Sequence, residues 1–260
     1  MKLRVLLGAG AVVVAVPAAS ADRWEIRGDN GSYTNNELQP GVVQDGHDLE
    51  ATPTGPDEDW YKVRCQQVRS YEARVFGGGV VWKYPACPEC ADFDRVAPDG
   101  TVLTPGDSQT TLGPPARSVR WIAGTGVTQW LRVKPNDGVT GLASEKYDIL
   151  VVDTSLFLPR FNNGGTQRTV VILQNALDVA VEGQVAFHDG SGAPLHTQPF
   201  SIAAYASLVL DTASLPALQG RAGSAVVAHT GGQAALVGKA VALDPGTGFT
   251  FDTPLTSAPR

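Results

Sequence analysis

Asp57-Glu58-Asp59-Trp60-Tyr61-Lys62-Val63-Arg64 is the clearest architectural signal in the chain. An acidic turn leads into a segment with a period of two. Trp60, Lys62, Arg64 and Gln66 point one way, and Tyr61, Val63, Cys65 and Gln67 the other. That period belongs to a β-strand, because successive side chains leave opposite faces of a pleated backbone. The second set is the expected core face, with Trp60 lying over an edge. Upstream, Thr52-Pro53-Thr54-Gly55-Pro56 breaks any regular structure. Downstream, residues 70–76 repeat the alternation, with Tyr71, Ala73 and Val75 on one face. Gly77-Gly78-Gly79 is a sharp break, and residues 80–84 resume as a strand.

The same texture runs through the chain. From Glu37 onward, residues 38–43 precede Gln44-Asp45-Gly46-His47-Asp48, which reads as a turn cluster. Asp92-Phe93-Asp94-Arg95-Val96 runs to Pro98-Asp99-Gly100, a strong turn signal. Segments 118–123, 128–133 and 146–152 complete a set of short strands at sandwich spacing. After residue 156, segments 169–173, 181–187, 195–202, 208–211, 224–229, 234–243 and 249–252 read as about seven strands, the number of an immunoglobulin-like sandwich. Asp189-Gly190-Ser191-Gly192 marks a hairpin, and residues 213–218 a helical turn. The expected architecture is therefore all-β. A first sandwich spans residues 37–153, an Ig-like one residues 156–260, and residues 22–36 form a polar arm. The joint, Asp153-Thr154-Ser155-Leu156-Phe157-Leu158-Pro159, is short and apolar where a tether would be polar and Gly/Ser-rich, so the two sandwiches should pack together.

Residues 1–21 have the form of a leader: Lys2 and Arg4, then a short apolar run, then Ala19-Ser20-Ala21. Cleavage before Asp22 would yield a secreted or periplasmic protein. The apolar run is too short to span a bilayer, so no membrane insertion is expected. The chain carries 20 Lys and Arg against 26 Asp and Glu, a formal net charge of −6. Such a surface repels phosphate backbones, which argues against nucleic acid as a partner.

The residues that bear chemistry are few. The acidic turns supply Asp57, Asp59, Asp92, Asp94 and Asp99, hard oxygen donors that would hold calcium if they converged across strands. Cys87-Pro88-Glu89-Cys90 has redox spacing but lacks the helix whose N-terminus would lower a thiol pKa, and a zinc site lacks its fourth ligand. The expected role is structural: Cys65 bridged to Cys87 or Cys90 would close a loop of about 23 to 26 residues, worth roughly 3 kcal/mol. Trp82 and Tyr84, beside the triple glycine, are candidates for a surface binding patch, whereas Trp121 and Trp130 are expected in the core. No catalytic residue is assigned. The chain has no Gly-x-Ser-x-Gly elbow, no His-Glu-x-x-His helix and no phosphate-cradling loop, and its four His are scattered.

Several of these motifs resemble the bacterial pre-peptidase C-terminal domain over about residues 37–152. They are the lead-in Asn35-Asn36-Glu37-Leu38, then Asp59-Trp60-Tyr61-Lys62-Val63 at a strand start, and Asp92-Phe93-Asp94 before Pro98-Asp99-Gly100-Thr101. Gln129-Trp130-Leu131-Arg132-Val133 and Tyr147-Asp148-Ile149-Leu150-Val151-Val152 follow. The resemblance implies a jelly-roll-like module attached to secreted proteases and other exported proteins, serving secretion, substrate binding or folding. The second half looks like the Ig-like modules of bacterial exported proteins. Together these features point to a non-catalytic exported protein, binding or surface-associated, with an extracellular polymer or a secreted hydrolase as its partner. Two alternatives stay open: an accessory factor of a secreted protease or glycosidase, and a hydrolase whose site is assembled across strands.

Overall fold

The computed structural model describes residues 31–49, 57–77, 91–107, 116–124, 127–135 and 142–258. These residues form strands and two 3-10 turns, with no α-helix among them. In the first half the strands are β1 (Glu37–Leu38), β2 (Val43–Leu49), β3 (Asp59–Arg64), β4 (Ser70–Phe76), β5 (Ala91–Val96), β6 (Val102–Pro105), β7 (Arg117–Ile122), β8 (Thr128–Pro135) and β9 (Leu142–Asp153). They make two sheets, ordered β2-β9-β4-β7 and β1-β3-β8-β5-β6. The pairs β2–β9, β3–β8, β4–β7 and β5–β6 are all antiparallel. The chain thus runs out as one edge of a ribbon, reverses at β5–β6 and returns as the other edge. Rolling that ribbon into two facing sheets is the jelly roll. β1 adds a short parallel edge to β3.

The alternation after Asp59 sets the core. Tyr61 and Val63 are wholly buried and Cys65 nearly so, facing Tyr71, Ala73, Val75, Trp121, Leu131, Val133 and Tyr147. Each large side chain taken out of water contributes about 1.5–3 kcal/mol. The strand is shorter than the alternation suggested. It stops at Arg64, and Gln67 is exposed in the turn before β4, where Val68 takes a positive φ of 61°.

The segment from Gln44 to Asp48 is a correction: it lies inside β2. Gly46 has φ +76°, and the β2–β9 register shifts on both sides of His47. Turn-type residues are therefore absorbed as bulges in an edge strand, which turns the His47 side chain into the core.

The second half is built from β10 (Leu156–Asn162), β11 (Arg168–Asn175), β12 (Val181–Asp189), β13 (Pro194–Ile202), β14 (Ser207–Asp211), β15 (Ala222–His229), β16 (Leu236–Asp244), β17 (Phe249–Pro254) and β18 (Thr256–Ser257). Its sheets are ordered β13-β12-β15-β10-β18 and β14-β11-β16-β17. The neighbours β11–β14 in one sheet and β12–β15 in the other match the B–E and C–F pairs of an immunoglobulin-like sandwich. Here β16 lies beside β11, and β10 takes the place beside β15. Phe161 and Phe187 meet edge to face at 5.3 Å in its core. The helical turn expected at 213–218 is a pair of 3-10 turns, Thr212–Ser214 and Pro216–Leu218.

The sandwiches meet directly. Only Thr154 and Ser155, both buried, separate β9 from β10. The Thr154 hydroxyl donates to Ser70 Oγ at 2.9 Å, and Ser70 N–H donates to Ser155 Oγ at 2.9 Å. The short apolar joint packs as expected.

Candidate functional site

The sheet pleat separates the acidic residues. Asp59 is on the inner face of β3, where the Tyr147 hydroxyl donates to its carboxylate. The hydroxyls of Tyr61 and Tyr147 are 2.6 Å apart. The His47 ring stacks on Tyr147 at 5.3 Å and meets Tyr61 edge-on at 5.2 Å. Burial, reinforced by the Asp59 charge, holds the Tyr147 phenol well above its ordinary pKa. Asp57 is buried just before β3.

Asp92 and Asp94 leave β5 on the outer face, opposite to Phe93. Asp94 is buried there, its carboxyl raised by desolvation and by Asp92, with Arg132 at 3.8 Å. Asp99 is fully exposed in the following turn and accepts from Thr101 N–H at 3.0 Å, which lowers its pKa. Asp59 and Asp94 therefore point to opposite faces of one sheet. No group of three or more His, Cys, Asp or Glu able to hold a metal ion forms among the described residues.

The expected disulfide is also a correction. Cys65 is a free thiol in the core. Burial pushes its pKa up to about 11, with the Trp121 indole opposing that shift. Cys65 faces inward at the end of β3, so its sulfur lies under Trp121 and away from solvent. Cys87, Cys90, Trp82 and Tyr84 lie outside the described residues. Trp121 is in the core as expected. Trp130, expected in the core, is instead half-buried on the outer face of β8, a correction that follows from its alternation with the buried Leu131.

The arrangement that sequence reading missed is at the joint. Glu72, on the outer face of β4, is completely buried because the β15–β16 loop of the second sandwich covers it. Arg74 Nε donates to its Oε2 at 2.9 Å and Arg120 Nε to its Oε1 at 3.2 Å. Gln233 N–H, from the covering loop, donates to Oε2 at 3.0 Å. Arg120 also reaches Asp107 at 3.4 Å. Gly232 makes this approach feasible, since a Cβ there would sit 2.8 Å from Glu72 Oε1. Beside the network, His229 Nε2 is 2.9 Å from the Thr154 carbonyl, so that nitrogen carries the proton. Burial lowers the His229 pKa to about 4.

These contacts frame a cleft of about 350 Å³ between the sandwiches. Leu156, Leu236, Val237 and Leu255 give it aliphatic walls, and Gly41, Thr154 and Gln233 bring polar and backbone groups. Its one ionisable lining side chain among the described residues, Asp153, is held by Arg69 at 2.8 Å and by Ser155 N–H at 2.9 Å. Ala234, also in the wall, has φ +64°, a left-handed conformation that costs a residue with a Cβ.

No protein-family model matches the chain, and no curated protein matches it in sequence. Among solved structures it is similar to a β-glucuronidase 2 from Bacteroides uniformis covalently bound to cyclophellitol-6-carboxylate aziridine. Identity is 9%, with 77% of this chain and 26% of that chain covered at a TM-score of 0.21. A putative β-galactosidase from Bacteroides fragilis is similar at 10% identity, with 87% of this chain and 35% of that chain covered at a TM-score of 0.18. The chain spans well under half the length of each.

Proposed function

We propose that this is an exported, non-catalytic binding protein whose ligand enters the cleft between the two sandwiches. The cleft carries the reading. Its walls come from both bodies, buried contacts join them, and its lining is mainly aliphatic, with its one carboxylate, Asp153, already held by Arg69. Such a surface suits retention of a ligand better than proton transfer. The strained Ala234 in the wall supports a functional role for the same loop. Export is supported by the leader pattern in residues 1–21.

The accessory-factor reading draws support from the motifs shared with the pre-peptidase C-terminal domain. Two of them, at Asp59 and Tyr147, meet through one buried hydrogen bond. In that reading the cleft holds a segment of a secreted hydrolase.

The test is retention of the protein on immobilised polysaccharide, collagen, peptidoglycan and a secreted hydrolase, compared with Val237→Arg. Val237 is half exposed in the cleft wall, so Arg blocks the cleft without entering the core. Capture of the wild type and its loss in the variant are expected. Equal capture of both would place the ligand elsewhere, and retention on nothing would overturn the binding reading.

A further inference from the structure

A second concavity lies on the outer face of the β1-β3-β8-β5-β6 sheet, remote in character from the cleft. Its volume is about 370 Å³, within the range of roughly 300–1,000 Å³ common to small-ligand sites. Register builds it: Glu37, Lys62 and Trp130 form one row across β1, β3 and β8, with Arg64 and Thr128 in the next. Val127 closes one end.

Each group in the groove has a distinct chemical state. The Trp130 indole N–H donates to the Ser32 carbonyl at 3.1 Å, which fixes the ring and satisfies its polar edge. What the ring offers to the groove is carbon surface. Arg64 pairs with Glu37 at 2.8 Å while remaining largely exposed. The Lys62 ammonium has no hydrogen-bond or ion-pair partner among the described residues. Two cations against one carboxylate leave one positive charge in excess, on a chain whose formal net charge is −6.

We propose that this groove binds a carboxylate-bearing sugar ring, such as a uronic acid unit of an acidic polysaccharide. The ring's C–H face packs on the immobilised indole, an apolar contact with defined geometry. The sugar hydroxyls donate to Glu37 and exchange hydrogen bonds with Thr128. The sugar carboxylate pairs with Lys62, assisted by Arg64. An aliphatic peptide would find only the indole and Val127 as apolar partners. A polyphosphate would need more uncompensated cations than one.

The experiment uses the full chain in affinity electrophoresis and tryptophan fluorescence with polygalacturonate, neutral dextran and polyglutamate. Polygalacturonate alone should retard the protein and perturb its fluorescence. Lys62→Glu should weaken this at least about tenfold, as expected for reversing a charge that faces a carboxylate. Lys62→Gln serves as the milder variant, Trp130→Phe should retain part of the binding, and circular dichroism checks each fold. Phe249→Ala, at an exposed position of β17 outside both sites, should bind polygalacturonate like the wild type. No binding to polygalacturonate, equal binding to dextran or polyglutamate, or wild-type binding by Lys62→Glu would each overturn the proposal.

Discussion

The Tyr147 hydroxyl donates to the Asp59 carboxylate across the interior of the first sandwich, tying β9 in one sheet to β3 in the other. A buried carboxylate is tolerable only while such donors face it. Tyr147→Phe should therefore destabilise the protein by about 1–3 kcal/mol, the cost of stripping a buried polar group of its partner. Chemical denaturation should show a lowered midpoint with an unchanged slope. A change below a few tenths of a kcal/mol would mean that water replaces the hydroxyl.

Alkali should act through the same region. The phenol of Tyr147 is held well above its ordinary value by burial, and burial pushes Tyr71 up to about 12. A pKa raised by folding contributes stability that is complete below the unfolded value near 10 and is lost as pH rises above it. Tyrosinate absorbance from these two residues should therefore grow together with unfolding. Ionisation in a still-folded protein would contradict this.

At the acid end the controlling group is His229. Its pKa is lowered to about 4 by burial, against an unfolded value near 6.5. The unfolded chain binds the proton first, so stability is complete above about pH 6.5 and declines as pH falls toward about 4. His229→Gln should flatten that branch of the curve of thermal midpoint against pH, whatever it does to the midpoint at neutral pH. An unchanged slope would assign the acid sensitivity to the carboxylates.

Glu72 joins the sandwiches. Glu72→Gln leaves Arg74, almost fully buried, without its countercharge, a loss expected to cost about 3 kcal/mol or more. Gly232→Ala should disturb the same contact from the other side, because its Cβ would meet Glu72 Oε1. Both variants should make the joint more susceptible to limited proteolysis and separate one thermal transition into two. A single transition at the wild-type midpoint would show that the network is dispensable.

Cys65 should be inert in the native state, since burial pushes its thiol up to about 11 and only the thiolate reacts. With Cys87 and Cys90 replaced by Ser, labelling with a thiol reagent should follow global unfolding, and Cys65→Ala should keep the fold. Rapid native labelling would contradict its core position.

Much of this architecture was legible in the chain itself. Period-two alternation at Tyr61, Val63 and Cys65, and at Tyr71, Ala73 and Val75, is a local consequence of the pleat, so it identified strands and their core faces. The composition of the joint anticipated packed sandwiches, because a segment carrying Leu156 and Phe157 cannot remain in water as a tether. Where several turn residues sat inside one strand, as in β2, local preference pointed the wrong way and pairing with β9 prevailed.

The acidic stretch that opens β3 shows where local reading ends. The order Asp57-Glu58-Asp59-Trp60-Tyr61 determined a strand start and the inward set of residues. Long-range strand pairing brought Asp59 to Tyr147 and placed Asp94 on the opposite face of the sheet. Tertiary packing put Cys65 beneath Trp121 and covered Glu72 with a loop from the second sandwich. The reason is physical: alternation is set by neighbouring residues, whereas partners are set by register between strands that lie tens of residues apart.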